Sequence, residues 1–130
     1  MDKNQKKILI VEDEKPMLKA IEDKLTREGF AVSSAENGRE GLDKAISERP
    51  DLILLDLIMP EVDGMSMLKK LREDEWGRDV PVIVLTNVYE IDKMSEAVTL
   101  STSGYLIKTD WKLEEVVGKI RQVLKLEESK

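Results

Sequence analysis

The sequence predicts an α/β protein in which a parallel sheet is covered by helices on both faces. Two observations predict it. Five short apolar runs, rich in β-branched residues, are typical of strands buried on both faces. Between them lie stretches with apolar residues at helical spacing, and an alternation of strands and helices favours a parallel sheet. At 130 residues, we expect one domain over residues 1–130, with an ordered core over about residues 6–126.

The predicted strands and helices alternate five times. The apolar runs are residues 8–11, 30–32, 52–55, 82–85 and 105–107. The helical stripes are Met17, Leu18, Ile21 and Leu25; Leu42, Ala45 and Ile46; Met67, Leu68 and Leu71; and Leu113, Val116, Val117, Ile120 and Leu124. A further helix is expected over roughly residues 90–99, where the apolar stripe is thin.

Proline and glycine mark the ends of these elements. Pro16 suits the first turn of a helix, where its missing N–H costs nothing. Residues 28–29, Glu-Gly, are typical of a helix end, and residues 49–50, Arg-Pro, end the next helix. Residues 76–77 and 80–81 bracket the entry to the fourth strand. The connections are therefore short.

The composition excludes several classes of protein. The chain has no cysteine and no histidine, which excludes disulfides, thiolate or histidine metal sites, a Ser-His-Asp triad and a phospho-histidine carrier. With 21 basic against 27 acidic residues, a net charge of −6 and 4% aromatics, nucleic-acid binding by this chain is disfavoured. No signal peptide or membrane-spanning run is present, so we expect a soluble protein of the cytoplasm.

Charged and polar residues follow the predicted strands at their carboxyl ends, the edge where open parallel sheets bind ligands. They are Glu12, Asp13 and Glu14 after the first strand, Asp56 after the third, Thr86 after the fourth and Lys108 after the fifth. Carboxylates this close repel one another, and Mg²⁺ prefers such oxygen ligands. A carboxylate beside Mg²⁺ and a lysine can act as a nucleophile toward phosphorus. The pattern therefore predicts a Mg²⁺-dependent phosphoryl-transfer or phosphate-binding site.

Each of these residues also has an ordinary structural interpretation. Glu12 and Asp13 can be solvated acids that favour the positive start of the first helix. Asp56 can be a turn residue, Thr86 a threonine chosen for the strand, and Lys108 a surface lysine. Their joint placement at strand ends is what favours a functional site.

The segment of residues 56–64 carries a family resemblance. Asp56 is followed by Met59-Pro60 and Asp63-Gly64, and this spacing resembles that of the receiver domains of two-component response regulators. The resemblance extends from about residue 6 to residue 126. It implies the flavodoxin-like receiver fold, a (βα)5 doubly wound sheet of strand order 2-1-3-4-5.

The resemblance implies a role for each strand-end residue. Asp56 corresponds to the phosphoacceptor. The Mg²⁺ ligands correspond to the side chains of Glu12, Asp13 and Asp56 and to the backbone carbonyl of Ile58. Lys108 corresponds to the phosphoryl contact, Thr86 to the switch hydroxyl and Tyr105 to a coupled aromatic. Tyr105 can equally be a plain core or edge aromatic. The resemblance implies a histidine kinase or phosphotransfer protein as donor, a downstream protein target and a phosphorylation-linked dimer. It also implies that the domain is no separate enzyme, although it catalyses its own phosphorylation and dephosphorylation.

Three positions depart from the family's usual residues. Glu12 stands where aspartate is commoner, Asn87 where a small residue is favoured, and Thr109 where proline is usual. These departures put phosphorylation kinetics and loop geometry in question. One alternative is a receiver-like interaction module that no longer phosphorylates. Another is a haloacid-dehalogenase-type phosphatase, whose Asp-x-Asp pattern would follow the first strand. A flavodoxin-like or dinucleotide-binding protein would need a phosphate loop there, where three acids stand.

Overall fold

The computed structural model describes residues 5–56, 64–86, 104–107 and 112–125, with the backbone alone at residues 65, 86 and 104–107. The elements are β1 Lys7–Val11, α1 Lys15–Arg27, β2 Ala31–Ala35, α2 Gly38–Glu48, β3 Leu52–Asp56, α3 Gly64–Glu73, β4 Val82–Thr86, β5 Gly104–Ile107 and α4 Leu113–Leu124. The helix expected over roughly residues 90–99 lies outside the described residues.

The strands form one parallel sheet of order β2-β1-β3-β4-β5, so the predicted fold class and strand order are confirmed. The chain moves outward from β1 to β2, then crosses to β3 on the other side of β1. This reversal of direction creates the crevice at which open α/β sheets bind ligands.

Alternate residues of each central strand enter two different cores, which is why these strands are apolar on both faces. One core lies under α2 and α3 and includes Leu9, Val11, Ile53, Leu55, Val82 and Val84. The other lies under α1 and α4 and includes Ile8, Ile10, Leu52, Leu54, Ile83 and Leu85. These strand residues are all buried. Packing on both faces of the sheet therefore fixes the position of its carboxyl edge.

The edge strand β2 is longer than its apolar run predicts. The prediction covered residues 30–32, whereas the strand runs over Ala31–Ala35 and pairs with β1 along its whole length. Most of β2 is half-buried, so Ser33 and Ser34 are tolerated there. Lys44 of α2 donates a hydrogen bond from Nζ to the backbone oxygen of Ser34.

The apolar stripe predicted for α2 is wrong at Ile46, which is 42% exposed. The buried residues of α2 are Gly38, Gly41 and Ala45. A Cβ at position 41 would lie 2.8 Å from a methyl carbon of Val11. The helix therefore packs on the sheet through small residues, and Ile46 follows Ala45 by one residue, about 100° around the helix, toward solvent.

The predicted helix ends agree with the structure. Pro16 lies in the first turn of α1, and Gly29, just beyond its end, has φ +96°, a conformation that favours glycine. Helix α2 ends before Arg49, which is left-handed at φ 49° and precedes Pro50. At its start, the side chain of Asn37 accepts a hydrogen bond from the Glu40 N–H, so α2 is capped.

Candidate metal and phosphoryl site

Three carboxylates meet at the carboxyl edge of the sheet. One oxygen from each of Glu12, Asp13 and Asp56 lies within 4.8 Å of the others. Glu12 is fully buried, Asp56 is 5% exposed, and Asp13 is half-buried. The cluster therefore opens to solvent on the side of Asp13.

The strand register explains why these residues meet. Val11, the last residue of β1, pairs with Leu55 of β3. Glu12 and Asp56 come directly after these two residues on neighbouring parallel strands, so they reach the sheet edge at the same level. Asp13 is the next residue along the chain, before α1 begins. Two adjacent strands thus supply the whole cluster.

The carboxylate chemistry fits a hard divalent cation. Three negative charges at this separation repel strongly where burial lowers the effective dielectric constant. Mg²⁺ takes oxygen ligands and commonly keeps several waters beside one or two carboxylates, so a half-open group of carboxylates suits it. Glu12, Asp13 and Asp56 are the residues that could hold such an ion.

The third acid after β1 has a different place. Glu14 was grouped with Glu12 and Asp13 as a strand-end acid, but its side chain is exposed and outside the three-carboxylate cluster. It is instead the N-terminal cap residue of α1. Its backbone N–H donates to Glu12 Oε2 at 3.1 Å. Sequence reasoning missed this contact because residue types do not reveal which backbone amide a carboxylate will meet.

The other predicted site residues are only partly described. Thr86 is the last residue of β4 and pairs with Ile107, the residue before Lys108. Tyr105 lies in β5 and pairs with Val84. The residues that lie outside the described part of the chain are Ile58 with the rest of segment 57–63, Asn87, Lys108 and Thr109. The roles predicted for all of the site residues stay predictions.

The fold and the acid cluster describe a small α/β protein with three carboxylates at the carboxyl edge of a parallel sheet. The chain belongs to the response regulator receiver domain family, whose sequence model matches residues 8–121. Among the described residues, no helix has the length and apolar character needed to cross a membrane.

Individual relatives agree with this family. The response regulator ArlR of Staphylococcus aureus is 32% identical over 123 residues, which cover 95% of this chain and 54% of ArlR. The chain thus spans about half the length of the curated relatives it matches. The chemotaxis response regulator CheY4 of Vibrio cholerae is 28% identical, with a TM-score of 0.85 over 92% of this chain and 99% of CheY4.

One solved relative was captured with its metal. The receiver domain of the sensor histidine kinase PA1611 from Pseudomonas aeruginosa has magnesium coordinated in its active-site cleft. It is 29% identical to this chain, with a TM-score of 0.84 over 93% of this chain and 98% of that domain.

Proposed function

We propose that the chain is a phosphorylation-activated receiver of a two-component phosphorelay, with Asp56 as the phosphoacceptor and Mg²⁺ as the cofactor. The observation that carries the proposal is the position of Asp56, at the end of β3 and within 4.8 Å of carboxylate oxygens from Glu12 and Asp13. The receiver family and the magnesium in the related PA1611 domain support it.

The reaction is a transfer of a phosphoryl group to the Asp56 carboxylate. A carboxylate oxygen forms the new O–P bond as the bond from phosphorus to the donor breaks, and the product is an aspartyl phosphate. Glu12, Asp13, Asp56 and the Ile58 carbonyl would hold Mg²⁺, which supplies charge neutralisation at the transferred oxygens. Lys108 would bind the phosphoryl oxygens, and the Thr86 hydroxyl would donate to them once they are in place.

The 130 residues contain no histidine, so the phosphoryl donor lies outside them. A histidine kinase or phosphotransfer protein in the cytoplasm is the proposed partner. Phosphorylation adds roughly −1.5 to −2 charge and three acceptor oxygens at Asp56. The surface that responds would include the predicted helix at 90–99, β5 with Tyr105, and α4. A downstream protein, or a second copy of the chain, would bind this surface.

Intact mass tests the proposal directly. The protein is incubated with Mg²⁺ and acetyl phosphate, next to an Asp56→Asn variant and a sample containing EDTA. We expect one added phosphoryl group in the wild type alone. Addition of the group to Asp56→Asn would contradict the assignment of the acceptor.

A slow reaction with this small donor is covered by a second measurement. Beryllofluoride with Mg²⁺ mimics the phosphorylated carboxylate, and we expect it to bind the wild type but not Asp56→Asn. Failure of both phosphoryl transfer and beryllofluoride binding would overturn the proposal and favour a receiver-shaped interaction module.

A further inference from the structure

Glu12 is held at two points by backbone hydrogen bonds. Its own N–H donates to the backbone oxygen of Ala35 on β2 at 3.0 Å. Its side-chain Oε2 accepts the N–H of Glu14 at 3.1 Å. The first contact fixes the backbone of Glu12 to the sheet, and the second fixes the end of its side chain. A fully buried carboxylate is thereby given one orientation.

The amide that orients Glu12 is itself immobilised by α1. Glu14 is the N-terminal cap residue, with φ −79° and ψ 104°, and its backbone oxygen accepts the N–H of Leu18 at 2.9 Å. Leu18 is buried in the core under α1. The Glu14 N–H therefore has a rigid support, while the Glu14 side chain lies exposed.

We propose that the backbone amide of Glu14 is a positioning group for the Mg²⁺ site, an inference that rests on the proposed Mg²⁺-dependent function. The hydrogen bond from the Glu14 N–H to Glu12 Oε2 holds the carboxylate of this proposed Mg²⁺ ligand in one orientation. It also orders the long Glu12 side chain before the ion binds, so this side-chain entropy is lost during folding and not during metal binding. Because the backbone provides the contact, any residue with an N–H can serve at position 14.

Two substitutions at one position separate the amide from the side chain. Glu14→Ala retains the N–H and removes the carboxylate. Glu14→Pro removes the N–H, and the observed φ of −79° is within the range of a proline ring. The backbone oxygen that accepts the Leu18 N–H is present in both variants. Circular dichroism in EDTA reports whether each variant is folded before any metal is added.

Mg²⁺ alone is titrated into each protein by calorimetry. We expect wild type and Glu14→Ala to have the same Kd within about twofold, and Glu14→Pro to bind about tenfold more weakly, as is usual when a group supporting a metal ligand is lost. The rate of phosphorylation by acetyl phosphate is then measured against Mg²⁺ concentration. For Glu14→Pro, the half-saturating Mg²⁺ should rise by a similar factor, with a maximal rate like that of wild type.

Each result supports or overturns one statement. If wild type does not bind Mg²⁺, the proposed function fails. If wild type binds Mg²⁺ and Glu14→Pro binds it equally well, the inference about the amide fails. It also fails if Glu14→Ala is as weak as Glu14→Pro, because the side chain would then be responsible. Should Glu14→Pro not fold, an ester in place of the 13–14 peptide bond removes the same N–H and decides the question.

Discussion

Asp13 differs from the two acids beside it in its access to solvent. Glu12 and Asp56 are buried, whereas Asp13 is half-buried at the mouth of the cluster. A hydrated cation entering from solvent would therefore meet Asp13 first. Its replacement should weaken cation binding without opening a cavity in the core, which makes it the best single position for testing the metal site.

We expect Mg²⁺ to raise the melting temperature of the wild type and to raise that of Asp13→Asn much less. A ligand that binds only the folded state stabilises it by about 2.7 kcal/mol at a free concentration of one hundred times its Kd. Thermal unfolding with and without Mg²⁺ measures the difference. Asp43→Asn, a matched change on the exposed side of α2, should respond like wild type. An equal response of Asp13→Asn would remove Asp13 from the site.

Two glycines are expected to respond oppositely to alanine. At Gly77, in the turn after α3, an added Cβ would overlap the backbone oxygen of Leu71, so Gly77→Ala should destabilise the fold by about 1–3 kcal/mol. At Gly118, inside α4, nothing lies within 4 Å of the added carbon. Gly118→Ala should stabilise by up to about 1 kcal/mol, the difference in helix propensity. Urea unfolding measures both, and a stable Gly77→Ala would contradict the described turn.

At the scale of elements, α1 and α4 are joined by a group of charged side chains. Glu28, at the end of α1, lies 3.3 Å from Lys24 and 3.2 Å from Arg121 of α4. The guanidinium of Arg121 also lies 5.5 Å from the centre of the Phe30 ring, a distance suited to a cation–π contact. Because α4 belongs to the proposed responding surface, this junction ties that surface to the rest of the domain.

The junction should make stability depend on pH in the acidic range. Hydrogen bonds from Lys24 and then Arg121 lower the pKa of Glu28 below its ordinary value of 4.5. A carboxylate whose folded pKa is depressed stabilises the fold above its unfolded pKa, and this contribution is lost as the pH falls through the folded pKa. Wild type should therefore be more stable than Glu28→Gln at pH 7.

The free energy of unfolding of both proteins, measured by urea from pH 7 down to below pH 4, checks this prediction. The two proteins should converge as Glu28 becomes protonated. A difference that stayed constant with pH would show that the ionised form of Glu28 is not what joins the helices. Salt should reduce the difference at pH 7, since all three charged side chains are partly exposed.

A second contact at this scale holds the turn between α3 and β4. Arg72 donates from one guanidinium nitrogen to the backbone oxygens of Gly77 and Val80, at 2.7 and 2.9 Å. Burial lowers the pKa of Arg72, while the charge of Asp79 raises it; arginine stays protonated in either case. The Arg72 guanidinium therefore stabilises the turn that precedes β4, the strand that ends at Thr86.

For the whole molecule, the apolar pattern was enough to predict the sheet. Each central strand is buried on both faces, so its apolar run nearly equals its length. The pattern failed where burial is partial or side chains are small. The polar residues Ser33 and Ser34 interrupt the apolar pattern, so the second half of β2 was not predicted. Gly41 has no apolar side chain, so the face by which α2 packs on the sheet was not predicted either.

The acid cluster was predictable because parallel strands end at a common edge, which brings Glu12, Asp13 and Asp56 together from their positions alone. The hydrogen bond from the Glu14 N–H to Glu12 Oε2 was not predictable, because it depends on the backbone geometry at the start of α1. The segment that carries the family resemblance, residues 56–64, shares Asp56 with this cluster. What the segment adds to the strand ends is the spacing of Met59-Pro60 and Asp63-Gly64 after Asp56.

The hydrogen bond between Lys44 and the Ser34 backbone oxygen bears on aggregation through the edge of the sheet. An edge strand offers open backbone groups on which a strand of another molecule can assemble, a route to aggregation and to fibres. On β2 an ammonium group holds one of these oxygens and places a positive charge beside the strand. An incoming strand would have to displace it and desolvate that charge. We therefore expect Lys44 to disfavour pairing of β2 with a strand of another molecule.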